Sequence, residues 1–145
     1  MSSQPAIILM SLLLTVAEYG FGQTAAGICL KYEPDVVTLQ GTLIRRNFPG
    51  PPNYKSTAEG DAPETYWLLS LPSAVCVDGD KSSPELNPAY KEVRRIQLII
   101  DEKKFETERN LMAKQVIVTG TLSGGVTGHH HTPVLLTIKT IGKVE

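Results

Sequence analysis

The sequence predicts a mainly β domain, with five strands closed into a small barrel and one short helix between the third and fourth. Three observations carry this. Five segments alternate apolar and polar residues with a period of two, which marks a half-buried strand. A single charged segment poor in β-branched residues separates the third from the fourth. The chain has 145 residues, 41% of them apolar and 20% charged, which suits one globular domain with an ordinary core.

The first segment places Val37, Leu39, Gly41 and Leu43 on one face, with Thr38, Gln40 and Thr42 between them. Trp67, Leu69 and Leu71 form the second set, and Trp67 therefore reads as core. Ile96, Leu98 and Ile100 form the third, with Gln97 expected to turn outward. Val116, Val118, Gly120 and Leu122 make the fourth, and Val134, Leu136 and Ile138 the fifth. Between the third and fourth, Glu102 to Met112 reads as an amphipathic helix. Asp101 is its N-cap, and Phe105, Leu111 and Met112 are its inward contacts. Strand, strand, strand, helix, strand, strand is the order of an OB-fold, a five-stranded Greek-key barrel. Gly-Thr-Leu occurs at Gly41 and again at Gly120, and both glycines read as bends or bulges within strands.

Residues 1–26 read as an export signal, and residues 27–145 as the OB-like domain. Ala6 to Ala17 is an uncharged apolar run too short to span a bilayer, followed by small residues including Thr24, Ala25 and Ala26. No Lys or Arg precedes the run, so an uncleaved anchor or a buried helix is the alternative. Export implies a periplasmic or secreted protein with no membrane span after cleavage. It also gives Cys29 and Cys76 an oxidising compartment in which to pair as a disulfide, with two free buried thiols as the alternative.

Charge argues against nucleic acid as a partner. All 14 basic residues and all but Glu18 of the 15 acidic ones lie beyond residue 26, so the domain is neutral and has no bulk field to gather polyanions. Arg45-Arg46 and Arg94-Arg95 read as solvated strand ends.

Two long connections remain. Asn47 to Glu64 joins the first two strands and is stiffened by prolines around Phe48 and Tyr54. Thr127-Gly-His-His-His-Thr-Pro133 precedes the fifth strand. In an OB-fold these two loops flank the ligand face. Phe48, Tyr54, Asp61, Glu64, His129, His130 and His131 are therefore the candidate ligand-binding residues. In an extended segment His129 and His131 point to one side and form a two-ligand set for zinc or copper, with His130, Asp61 or Glu64 as third ligand. The competing reading is that the imidazoles bond to the proline-rich loop and fix its shape. Without a fixed ligand geometry the chain reads as needing no cofactor. No nucleophile elbow or zinc-protease helix is present, so no catalytic residues are assigned and the expectation is a binding protein without enzymatic activity. Asp78 to Glu85 has acidic spacing like that of a calcium loop, yet Ser83 stands at its glycine position and Ala89 at its final ligand position, so it reads as a solvated connection.

The chain resembles the bacterial domain of unknown function 4431 family, small exported proteins, from about Cys29 to Ile141. The resemblance is carried by Cys29-Leu30-x-Tyr32-Glu33-Pro34, Phe48 to Tyr54, Gly60-Asp61-x-Pro63-Glu64, Trp67-x-Leu69-x-Leu71, Cys76-Val77, Ile96-Gln97-Leu98, Val118 to Leu122 and Thr127 to Leu136. Two positions depart from it. Lys55 replaces an acidic residue, and Ala113 replaces a glycine suited to a left-handed helix cap. The resemblance implies an exported context and no particular activity. The expected partner is an envelope ligand or protein, and nothing in the sequence sets the oligomeric state.

Overall fold

A computed structural model describes residues 27–145; the expected export signal at 1–26 lies outside the described residues. The strands are β1 (Val36–Pro49), β2 (Pro63–Val77), β3 (Tyr90–Ile99), β4 (Gln115–Gly124) and β5 (Val134–Lys143). The helix α1 spans Glu102–Thr107. A 3-10 turn at Thr57–Glu59 lies in the β1–β2 connection, and a second at Arg109–Leu111 follows α1. The protein is mainly β, and its strands close into a barrel in the order β1-β2-β3-β5-β4. All neighbours are antiparallel except β3 and β5, which run parallel over Gln97 to Ile99.

Each alternation found in the sequence lies within a strand, except that Ile100 falls just past the end of β3, and its apolar face points into one core. Leu43, Leu69, Ile96, Leu98, Leu122 and Leu136 are essentially inaccessible to solvent. Each such side chain contributes about 1.5–3 kcal/mol relative to full exposure. Gly41 sits where β1 passes from pairing with β4 to pairing with β2. A Cβ there would lie 2.5 Å from the Ser70 carbonyl oxygen, so the close approach requires glycine. Gly120 adjoins the register shift between β4 and β5, the bulge expected of it.

The helix is shorter than expected. Asp101 caps it by accepting the Lys104 N–H at 2.8 Å, but the α-helical span ends at Thr107 and continues only as the 3-10 turn. Phe105 stacks on Trp67 with ring centroids 4.7 Å apart, and Leu111 is buried, so these inward contacts survive the shortening. Leu111 to Lys114 then forms a type II turn, with Met112 at φ −57°, ψ 136° and Ala113 at φ 63°. Ala113 therefore takes the left-handed conformation without the glycine that favours it.

Cys29 and Cys76 form a disulfide. Beside it Leu30 bonds through its N–H to the Cys76 carbonyl and through its carbonyl to the Asp78 N–H, which ties the entering chain to the end of β2. No helix among the described residues is long and apolar enough to cross a membrane.

One expectation is overturned. Gln97 does alternate away from the barrel core, but it is fully buried instead of turned to solvent. Its cross-strand neighbours Leu68 and Leu135 are buried with it, forming a covered strip on the outer surface of the barrel.

Candidate functional site

The β1–β2 loop is shaped by Asp61. Its carboxylate accepts the N–H groups of Asn53, Lys55 and Ser56 at 2.9, 2.7 and 2.9 Å, and the Asn53 amide at 3.2 Å. The Ser56 and Lys55 N–H bonds, ahead of Asn53's, hold its carboxyl below the usual carboxylate range. Both oxygens are thus engaged by the loop itself. Asp61 is a staple and does not offer the ligand expected of it. Pinned this way, the loop carries Tyr54 at φ 56°, a conformation uncommon for a bulky side chain.

The β4–β5 loop is held from beneath by Gln97. Its side-chain amide donates to the His129 carbonyl at 2.9 Å and accepts the His131 N–H at 2.7 Å. Its backbone N–H reaches Thr132 Oγ1 at 2.9 Å, and that hydroxyl donates to the Val134 carbonyl. His130 turns back into the same loop, where Nδ1 accepts the Val126 N–H at 2.9 Å and the Thr127 N–H at 3.3 Å. His130 therefore closes a turn and is removed from the ligand set expected of it.

His129 and His131 both face Glu64, although the segment is not extended as expected: His129 lies in a turn closed by the His130 N–H on the Thr127 carbonyl. His129 Nδ1 lies 2.8 Å from Glu64 Oε1 and 3.0 Å from Oε2. A carboxylate only accepts, so Nδ1 carries the proton, and in the neutral ring Nε2 accepts from the Tyr54 hydroxyl at 3.0 Å. Tyr66 donates to Glu64 Oε2 at 3.1 Å. His131 stacks flat on Phe48, with centroids 4.0 Å apart and planes within 1°. Phe48 and Glu64 are direct partners across β1 and β2, which explains why the stack and the carboxylate share one spot. Gly128 leaves room for this closure, since a Cβ there would come within 3.0 Å of the Tyr54 ring.

The electrostatics follow from burial and these bonds. Burial alone would raise the Glu64 carboxyl, but hydrogen bonds from His129 and Tyr66 and the two nearby imidazoles bring it below its usual range. Burial, then the bond to Glu64, pushes the Tyr66 phenol up to about 12. Burial lowers His131, which favours the neutral ring. No group of three His, Cys, Asp or Glu side chains among the described residues is placed to hold a metal ion.

Of the seven residues expected in the site, Phe48, Tyr54, Glu64, His129 and His131 come together, while Asp61 and His130 support their own loops. Tyr66 and Gln97 join them and were not assigned there from the sequence. Tyr66 was legible as the outward neighbour of Glu64 two residues on, and Gln97 as a lone polar residue in an apolar strand. The Asp78 to Glu85 connection bonds internally, with Asp80 Oδ1 accepting from the Ser82 N–H and hydroxyl.

No curated protein matches the chain. Residues 95–142 match the family described as Domain of unknown function (DUF4431), a segment that holds Gln97 and all three histidines but not Tyr54, Glu64 or Tyr66. That match supports the resemblance to the domain of unknown function 4431 family carried by Ile96 to Leu98, Val118 to Leu122 and Thr127 to Leu136.

Proposed function

We propose that this chain is an exported, non-catalytic binding module of OB-like Greek-key form, which takes an envelope ligand or protein partner through its β1–β2 and β4–β5 loops. The carrying observation is the bond between Tyr54 and His129, which joins the tips of two loops that are 75 residues apart in sequence. Joined loops present one preorganised surface, which lowers the ordering cost of binding. His129 keeps 51% of its side-chain surface exposed there. The disulfide fits a periplasmic or secreted location. Arg45, Arg46, Arg94 and Arg95 are exposed and the domain is neutral, which supports a partner other than nucleic acid.

Two variants test the reading in envelope extracts. Immobilised wild-type protein should capture a partner that folded Tyr54→Ala protein does not. Leu98→Ala, in the core, should lower stability by ~2–5 kcal/mol and affect capture only through unfolding. Equal capture by wild type and Tyr54→Ala would remove the proline-rich loop from the interface.

A further inference from the structure

Beside the covered strip at Gln97, part of the outer barrel surface stays open as a ledge. Thr42, Ser70 and Arg95 are successive partners across β1, β2 and β3, and Arg46 stands opposite Tyr66 two outward positions further along. Ile44 lies between the two arginines, paired with the buried Leu68. Arg46 and Arg95 are exposed, while Thr42, Ile44 and Ser70 are half-buried. At the end of the polar row, Gln115 donates its amide to the Thr42 hydroxyl at 2.7 Å.

Free charge at these positions has one sign. None of the ion pairs among the described residues involves Arg46 or Arg95. Glu64 is the one carboxylate on this outward face, and His129 and Tyr66 already engage it. Residues 125–133, which fold over Gln97 at the border of the ledge, contain no acidic residue. Guanidinium groups without an internal partner favour a ligand that brings carboxylates, whose planar oxygens match the guanidinium fork.

Strand spacings of about 3.3 Å per residue and 4.8 Å between strands put the two arginine Cα atoms roughly 16 Å apart, a span that about six residues of extended chain cover. Ile44 between them offers an apolar contact to a side chain of such a segment. Tyr66, the aromatic ring beside Arg46, sits against Phe48 and His131, so no free ring is offered to a nucleic-acid base.

We propose that Arg46 and Arg95 hold an extended acidic segment of a protein partner, laid across β1, β2 and β3 alongside the histidine loop. The hydroxyls of Thr42 and Ser70 bond its polar groups. The inference rests on the reading of the neighbouring loops as a binding site and gives the partner its chemistry.

The test follows binding of fluorescent poly-L-glutamate by anisotropy, with a single-stranded DNA oligonucleotide and polygalacturonate as competing polyanions. Poly-L-glutamate should bind, and its affinity should fall several-fold as salt rises from about 0.05 to about 0.3 M. Arg46→Gln and Arg95→Gln should each weaken binding about fivefold or more. Their thermal midpoints should not change, because both side chains are exposed and unpaired. Arg109→Gln, which removes a guanidinium paired with Glu106, is the control and should bind as wild type does. Absence of binding overturns the proposal, as does an equal loss in Arg109→Gln. Binding of the oligonucleotide or of polygalacturonate as tight as that of poly-L-glutamate also overturns it. In envelope extracts, capture that Tyr54→Ala abolishes and the double Arg46→Gln, Arg95→Gln protein retains overturns this inference and leaves the loop reading standing. Arginine-dependent binding of poly-L-glutamate, with no partner captured by wild type, upholds the acidic-segment face and counts against the loop reading.

Discussion

Gln97 accepts the His131 N–H at 2.7 Å while donating to the carbonyl of His129, so one side chain fixes the backbone on both sides of the histidine loop. The pairing resembles a single rung of a β-ladder made by a side chain. It couples the β3 strand directly to the site.

Gln97→Leu should therefore loosen the loop more than the barrel. It keeps the volume but leaves an N–H and a carbonyl without partners, at a cost of about 1–3 kcal/mol for each that stays buried. Hydrogen exchange should accelerate at His129 to Thr132 while Leu122 and Leu136 stay protected. Uniform exchange across the domain, or no change, would show that Gln97 does not organise the loop.

Asp61 predicts a pH dependence with a defined sign. Its carboxyl is depressed in the folded protein by the Ser56, Lys55 and Asn53 bonds. The stabilisation is thus fully present above the unfolded value of about 3.9 and is lost as pH falls through the lower folded value. The amide signals of Asn53, Lys55 and Ser56 should stay constant from neutral pH to about 4 and shift together below it. In Asp61→Asn that step should disappear. A persisting step would assign the titration to another group.

The disulfide closes a loop with a sequence separation of 47 residues. In the chain-entropy model such a closure contributes about 4 kcal/mol, so Cys76→Ser should lower the thermal midpoint substantially. Intact mass under non-reducing conditions should show no free thiol. Two titrating thiols per folded chain would contradict the pairing.

Ala113 at φ 63° occupies the turn position that glycine prefers. Ala113→Gly should stabilise the protein by about 0.5–1 kcal/mol, the relief of a left-handed alanine less the added freedom of the unfolded chain. The denaturant midpoint should rise with an unchanged slope. A lower midpoint would mean that unfolded-state entropy outweighs the strain.

By itself the sequence determined the five strands, the face each buries and the two connections that form the site. A period of two assigns Trp67, Leu98 and Val118 to one side of a sheet through local geometry alone, and Gly50-Pro51-Pro52 follows directly where β1 ends. Asp101 likewise announced the helix start, although the α-helical span ends at Thr107, short of the Leu111 and Met112 expected within it. Tertiary structure decided what covers the outer face. Alternation placed Gln97 away from the core, yet only the folding of residues 125–133 over it turned an outward residue into a buried one. The same holds for charge pairing. Glu64 meets His129 across 65 residues because barrel closure brings the ends of β1 and β2 beside the β4–β5 loop, and no local spacing encodes that distance. Asp61 and His130 went the other way, since nearby backbone N–H groups claimed their acceptors before any ligand did.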